Sequence, residues 1–383
     1  MRILTFLHSF EPGGVERIAL RLVRHWRGLG VDAPLFMGRS AGAMRGELAA
    51  DLRYDTPWTP PIAIGWCETL WMIVTLPGFI RRTKPDILFC AGNSYAVVAV
   101  AMKLMLGKSC PPILAKISND LDRMDMIPPI RMTYRLWLRI QGRMIDHFVG
   151  MEQPMGAEIA AAIRPGRGRI TIIPDPALSQ GQIDRLRAAP RPVAEGPGYR
   201  FAAIGRLAPQ KNFALMIRAF AAGAGAKDRL VIFGEGPERA ALQSLIEERG
   251  LHDGVLLAGH VPDPASRLPE FDIFLLSSDY EGVPAVLLEA LAAGLPIITT
   301  RCSRSIEAMM DGGALAHIVP PRDEAAFATA IRHAGALRQD AAASWRQAHR
   351  FTIEDAAEIY LSAFAVTGTT HCDGKKCATP TEA

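Results

Sequence analysis

The 383-residue chain is sparing with charge and with aromatic rings: 21% of its residues are Asp, Glu, Lys or Arg, and 7% are Phe, Trp or Tyr. With 49% hydrophobic residues beside so little charge, a disordered chain is excluded and substantial buried surface is expected. Cysteine is scarce as well. The six, at positions 67, 90, 110, 302, 372 and 377, show no paired spacing over the folded region. This excludes a disulfide scaffold and points to a reducing, cytoplasmic compartment, with Cys90 and Cys302 as buried thiols next to strands. No secretory leader is expected, because Met1–His8 already reads as a strand and a charged helix follows it. Long apolar runs are missing too. The longest, Ile62–Ile80, is broken by Glu68, Pro77 and Gly78, and suits a helix packed on a sheet or touching a bilayer interface better than a spanning one. No short-period repeat appears, which sets solenoids aside.

The net charge of +4 is small but unevenly placed: residues 1–180 hold 22 basic against 15 acidic side chains, and residues 181–383 hold 21 against 24. A basic first half suits an anionic acceptor or an anionic membrane surface as well as plain solvation, and a nucleic-acid partner is not expected.

What the chain has in abundance is alternation. Short apolar runs at Arg2–Leu7, Ala33–Met37, Asp86–Cys90, Ile113–Ile117, His147–Gly150 and Arg169–Ile173 are separated by helical stretches. A second series follows at Tyr199–Ile204, Arg229–Phe233, Val255–Leu257, Asp272–Leu276, Ile297–Thr300 and Ala316–Val319. Each series predicts a doubly wound, Rossmann-like parallel sheet, so the fold class is α/β with two such domains. The expected boundaries are a first domain over 1–175, a Pro- and Gly-rich linker over 176–198, a second domain over 199–350, an amphipathic terminal helix over 351–366 and a disordered tail over 367–383. Within the first domain, Arg131, Arg135, Arg139 and Arg143 form a four-residue-spaced basic stripe beside Met132, Leu136, Trp137 and Ile140. It reads as a solvated face or as interfacial contact with anionic lipid.

Residues 271–300, FDIFLLSSDYEGVPAVLLEALAAGLPIITT, organise the second domain. Phe271–Leu276 is a buried strand, Ser277–Pro284 a polar turn and Ala285–Ala293 a helix stopped by Gly294 and Pro296. The turn therefore lies at the carboxyl end of a parallel strand, where open sheets bind ligands. Glu281 stands on the turn, and Glu289 is expected two turns into the helix. Between them the helix amino terminus offers backbone N–H groups to a diphosphate, while the carboxylates can accept hydrogen bonds from sugar hydroxyls. Glu289 sits inside Val286-Leu287-Leu288-Glu289-Ala290-Leu291, where a charge without a purpose would be costly.

This stretch resembles the Glu–seven residues–Glu signature of the family-four retaining glycosyltransferases, which have the GT-B fold. Gly13-Gly14-Val15-Glu16-Arg17 is similar to the family's opening Gly-Gly-x-Glu-Arg, and Gly205-Arg206-Leu207-Ala208-Pro209-Gln210-Lys211-Asn212 to its Gly-Arg-Leu-x-x-x-Lys-Asn element. The resemblance implies two facing Rossmann-like domains and transfer of a sugar from a UDP- or GDP-type donor to a glycan, lipid-linked or small acceptor. Arg206 and Lys211 would hold the diphosphate and Glu289 the ribose. Glu281 would contact the donor sugar, with Gly282, Val283, Pro284 and Ala285 forming the cradle. Gly13 and Gly14 would lie near the donor, and Glu235 and Val261 would lie beside the nucleotide. Catalysis would rest on Glu281, Arg206 and Lys211. Many relatives carry a His after the fourth strand; here that stretch is Lys116-Ile117-Ser118-Asn119-Asp120, so Asn119 or Asp120 would stand in for it. No metal or other cofactor is expected, because cations neutralise the leaving group. Envelope polysaccharide or glycolipid assembly, on the cytoplasmic side of a membrane, is the implied setting. A GT-B epimerase and a catalytically weak sugar-nucleotide binder are the alternatives.

Overall fold

The structure, a computed structural model, describes every residue except 12, 43, 49–50, 59–66, 123–125, 192–197 and 377–383, and no side chains at 47–48 and 370–376. The chain divides into two units, Met1–Pro176 with Ile353–Ala383, and Ala177–Thr352.

The first unit is a six-stranded, all-parallel sheet in the order β2-β1-β3-β4-β5-β6. Its strands are β1 (Ile3–Leu7), β2 (Leu35–Met37), β3 (Ile87–Cys90), β4 (Ile113–Lys116), β5 (His147–Gly150) and β6 (Ile170–Ile172). The connecting helices are α1 (Gly14–Gly28), α2 (Met44–Leu48), α3 (Glu68–Thr83), α4 (Ala96–Leu106), α5 (Pro128–Met144) and α6 (Gln153–Ala162). β1 pairs with both β2 and β3, setting Thr5 against Leu35 and Phe89. Every residue of β1, β3, β4 and β5 is buried, as strands covered on both faces require. Cys90 is fully enclosed, and burial pushes its thiol up to about 12.

The second unit repeats the plan with β12-β11-β10-β7-β8-β9, again all parallel. Its strands are β7 (Arg200–Ile204), β8 (Arg229–Phe233), β9 (Val255–Gly259), β10 (Ile273–Leu276), β11 (Ile297–Thr300) and β12 (His317–Val319). Its helices are α7 (Gln180–Ala188), α8 (Phe213–Gly223), α9 (Arg239–Glu248), α10 (Ala285–Ala292), α11 (Ile306–Met309), α12 (Glu324–Arg332) and α13 (Ala341–His349). Alternate strand residues feed two cores. Ala202, Ile204, Phe274 and Leu276 pack with Leu287 and Leu291 on one face, and Phe201, Ala203, Ile273 and Leu275 pack with Phe213 and Phe220 on the other.

Two expectations at the seams need correction. The segment 176–198 is not simply a linker: Ser179 caps α7 by accepting from Gln182 N–H at 3.2 Å, and Ile183 and Leu186 join the core that contains Leu287 and Leu291. Residues 192–197 of that segment lie outside the described residues. Nor does order end at 366. α14 (Ile353–Lys376) continues past it, with Thr367 buried and its hydroxyl donating to Ala363 O at 2.7 Å. Residues 377–383 of the expected tail are outside the description. α14 belongs to the first unit, where Tyr360 and Phe364 pack edge-on against Trp26 and Phe89, and Trp26 Nε1 donates to Ala357 O at 3.3 Å.

Candidate functional site

Each sheet reverses its strand order once, between β1 and β3 in the first unit and between β7 and β10 in the second. At such a switch point the loops leave the carboxyl ends of neighbouring strands in opposite directions, and ligands enter there.

In the second unit the two loops are 205–212 after β7 and 277–284 after β10. Lys211 Nζ meets Glu281 Oε1 at 2.5 Å, and Ser278 Oγ donates to the same oxygen at 2.8 Å. Both charged side chains are mostly enclosed, 19% and 12% exposed, so this pair is fixed rather than a loose surface contact. The backbone around it is equally determined. Glu281 N–H donates to Cys302 O at 2.8 Å, Thr300 Oγ1 donates to Ser278 O at 2.6 Å, and Ser277 Oγ donates to Lys211 O at 2.9 Å. Burial and then the Glu281 charge raise the Cys302 thiol well above its ordinary value.

Asn212 supports Lys211 from behind. Its backbone is left-handed at φ 46°, its Oδ1 accepts from Leu215 N–H to cap α8, and its Nδ2 donates to Asp279 Oδ1 at 2.9 Å. The other oxygen of Asp279 accepts from Arg322 Nε at 2.9 Å. Loops following β7, β10 and β12 are thus joined through one carboxylate.

Gly282, Val283 and Pro284 lead into α10, which begins at Ala285 with Pro284 in extended conformation and no side-chain cap. Its first N–H groups have no carbonyl partner within the helix, and they carry the positive end of its dipole. Glu289 is the fifth residue of α10, one turn in rather than two, and is half-buried. Arg206, on the loop after β7, is exposed and forms no ion pair among the described residues. Glu235 pairs with Arg239 at 2.8 Å beside Gly259, and Val261 follows β9 against the core. Gly234, at φ 148°, brings the loop after β8 against Gly205: a Cβ there would meet Gly205 O at 1.9 Å.

Gly13, Gly14, Asn119 and Asp120 belong to the first unit. Gly13 is the extended residue before α1, and the Glu16 carboxylate folds back so far that a Cβ on Gly13 would meet Oε2 at 2.0 Å. Tyr95 Oη donates to Glu16 Oε1 at 2.6 Å, and the His8 ring stacks on Tyr95 with centroids 4.6 Å apart. Burial, reinforced by Glu16, raises the Tyr95 hydroxyl far above its usual range; burial and then Arg39 lower His8 to about 4. Asn119 is exposed on the loop after β4. That loop is anchored on either side, since Ser118 N–H donates to Asn93 Oδ1 at 2.8 Å and the N–H groups of Leu121 and Asp122 donate to buried Glu158 at 2.8 and 2.7 Å.

Several of these partners carried no sequence signal as site residues: His8, Tyr95, Asn93 and Glu158 are distant in sequence and ordinary in type. Asn212 and Asp279 were within reach, the first as a helix cap and the second as a turn carboxylate two residues before Glu281. Among the described residues no three His, Cys, Asp or Glu side chains gather as a metal site would. A cavity of about 570 Å³, lined by Arg81, Lys84, Leu106 and Pro112 among others, opens at the amino ends of β3 and β4, away from the switch point.

Residues 12–177 match the family described as Glycosyltransferase Family 4, and residues 198–335 the family described as Glycosyl transferases group 1. The chain is 31% identical over 335 residues to the lipopolysaccharide core biosynthesis glycosyltransferase LpsE of Rhizobium meliloti (strain 1021), covering 86% of this chain and 87% of that one. It is 32% identical over 163 residues to the putative colanic acid biosynthesis glycosyltransferase WcaL of Escherichia coli (strain K12), covering 40% of each. The matched part thus spans less than half the length of that relative. Among solved structures, the apo lipopolysaccharide outer core galactosyltransferase WaaB superposes with TM-score 0.72 at 19% identity, over 96% of this chain and 99% of that one. Anabaena HepE in complex with UDP-glucose gives 0.74 at 16%, over 96% and 100%. At such identities these likenesses speak for the fold, which is GT-B.

Proposed function

Because this chain belongs to the group 1, family-four-like glycosyltransferases of GT-B fold, we propose that it transfers a sugar, with retention of configuration, from a nucleoside-diphosphate donor to a glycan, lipid-linked or small acceptor. The observation that carries this reading is the enclosed Lys211–Glu281 pair at the β7/β10 switch point, next to the uncapped start of α10. A fixed ammonium and the first N–H groups of a helix form a site ready for a diphosphate, and Arg206 adds a second cation on the same loop.

In the reaction the bond between the anomeric carbon and the diphosphate oxygen breaks, its electron pair leaving on the diphosphate. An acceptor hydroxyl forms the new bond on the same face, and its proton passes to the departing phosphate. Lys211, Arg206 and the α10 N–H groups stabilise the charge that develops on the leaving group. Glu281, held by Lys211 and Ser278, would position the donor sugar, and Glu289 the ribose hydroxyls. Glu235 and Val261 would flank the nucleotide. Uridine is the favoured base, since the similar HepE binds UDP and UDP-glucose. Surface-polysaccharide or lipopolysaccharide assembly is the favoured setting, since LpsE and WcaL are described so. No metal takes part in this proposal, and the work is placed on the cytoplasmic side of a membrane.

The test is a thermal-shift screen with UDP, GDP, ADP and CMP, followed by titration calorimetry. UDP should raise the melting temperature, and Lys211→Ala and Glu289→Gln should each weaken its binding by about tenfold or more. Unchanged affinity in both variants would sink the site, and an intact donor diphosphate after long incubation with acceptors would sink the transfer.

A further inference from the structure

We infer that the outward surface of α3, α4 and α5 is a docking face for an anionic bilayer. The inference stands on this surface alone, independently of the transfer chemistry. These helices connect β2 to β3, β3 to β4 and β4 to β5, and right-handed crossovers running the same way along the sheet place all three on one of its faces. Each buries one stripe against that sheet: Met72, Leu76 and Ile80 on α3, Val98, Ala99 and Met102 on α4, and Leu138 with Gln141 and Gly142 on α5.

The opposite stripes should be polar, and they are not. Leu70 and Val74 on α3, Leu104 and Met105 on α4, and Met132 and Leu136 on α5 are all exposed, Leu104 and Met132 by 70%. Residues 70–140 supply ten of the eighteen large hydrophobic side chains that are exposed among the described residues. Single exposed leucines are ordinary, but this concentration on three adjacent helices marks an interaction face.

Charge identifies the occupant. Across 68–84, 96–110 and 127–144 there are nine Lys and Arg residues and one carboxylate, Glu68, which Arg39 neutralises. Lys103 is taken up by Asp146 and Arg139 by the Ala162 carbonyl. Arg81, Lys84, Lys108, Arg135 and Arg143 are exposed and form no ion pair among the described residues. A second copy of the chain would bring the same cations against these and be repelled. A bilayer with anionic headgroups attracts them, while the apolar side chains enter the acyl boundary and the long cationic stems reach back to the phosphates. No helix among the described residues is long and apolar enough to cross a membrane, so the contact would lie in the interface plane.

The experiment is co-sedimentation of the full chain with vesicles of phosphatidylcholine alone or with about one-third phosphatidylglycerol. The chain should partition onto the anionic vesicles, much less onto the neutral ones, and be released by salt. A cation near an anionic surface is worth about fivefold in partitioning, so Arg135→Glu with Arg143→Glu should lower binding at least about tenfold. Met132→Ser with Leu136→Ser should do the same through the lost insertion. Leu104→Ser serves as a third variant should either pair disturb folding, checked by circular dichroism. Leu256→Ser, an exposed leucine of the second unit, should leave binding unchanged. No binding to anionic vesicles, or equal binding by wild type and all these variants, overturns the proposal. So does a concentration-dependent dimer that Met132→Ser with Leu136→Ser dissolves, without vesicle binding. UDP affinity, read in parallel, should be untouched by every one of these substitutions, so a failed docking face and a failed donor site give different results.

Discussion

His8 directly follows β1, with its ring against Tyr95 and its Nε2 3.3 Å from the Thr69 hydroxyl, in a setting that holds its pKa down at about 4. In the unfolded chain the imidazole takes up a proton near pH 6.5. Between those values the unfolded state binds more protons than the folded one, so stability is present above pH 6.5 and drains away as pH falls toward 4. The full shift corresponds to about 3 kcal/mol. His8→Gln keeps a polar side chain and removes the titration. Urea midpoints should therefore fall more steeply from pH 7 to pH 4.5 in the wild type than in this variant, and parallel curves would clear His8 of the effect. Lys211 and Glu281 show a different residue-scale logic. Their pairing could be drawn from the family motifs only as two separate roles; that they share one oxygen with Ser278 depends on loops 70 residues apart, which no local pattern encodes.

At the scale of elements, all twelve strands were legible because buried parallel strands read as short apolar runs, and His147–Gly150, Arg229–Phe233 and Ile297–Thr300 have the expected ends. α7 was obscured because Pro and Gly crowd 189–198 and colour the reading of 180–188, although Ser179 and the Ile183/Leu186 spacing announce a helix. The tail was misjudged for a related reason: Thr367–Thr370 has no apolar period, yet Thr367 is held by a hydrogen bond inside a packed helix. The loops after β7 and β8 depend on an approach so close that only glycine fits. Gly234→Ala must push its Cβ into Gly205 O, and should cost about 2–4 kcal/mol and weaken UDP binding through displacement of the Arg206 loop. Chemical denaturation and calorimetry on the same sample check both. A variant as stable as wild type would mean that the two loops can separate freely.

For the whole molecule, the first unit is discontinuous in sequence. Its core needs α14, whose Tyr360 and Phe364 complete a ring cluster with Trp26 and Phe89, all four nearly inaccessible. Phe364→Ala should cost about 3–5 kcal/mol. The loss should fall on the first unit, so a calorimetric scan should show one transition moving down while the UDP-induced shift of the other survives; loss of both together would mean a single cooperative unit. This return of the chain has a consequence for synthesis. When a ribosome has made residues 1–176, the aromatic floor of the first sheet still lacks its cover, and it stays uncovered until 177–352 have been polymerised. At elongation speeds of about 5–20 residues per second, that is roughly ten to thirty-five seconds. The unit translated first is therefore the last to close, and a transcript cut short at codon 353 yields a product whose second sheet can fold while Trp26 and Phe89 remain on display to chaperones and proteases.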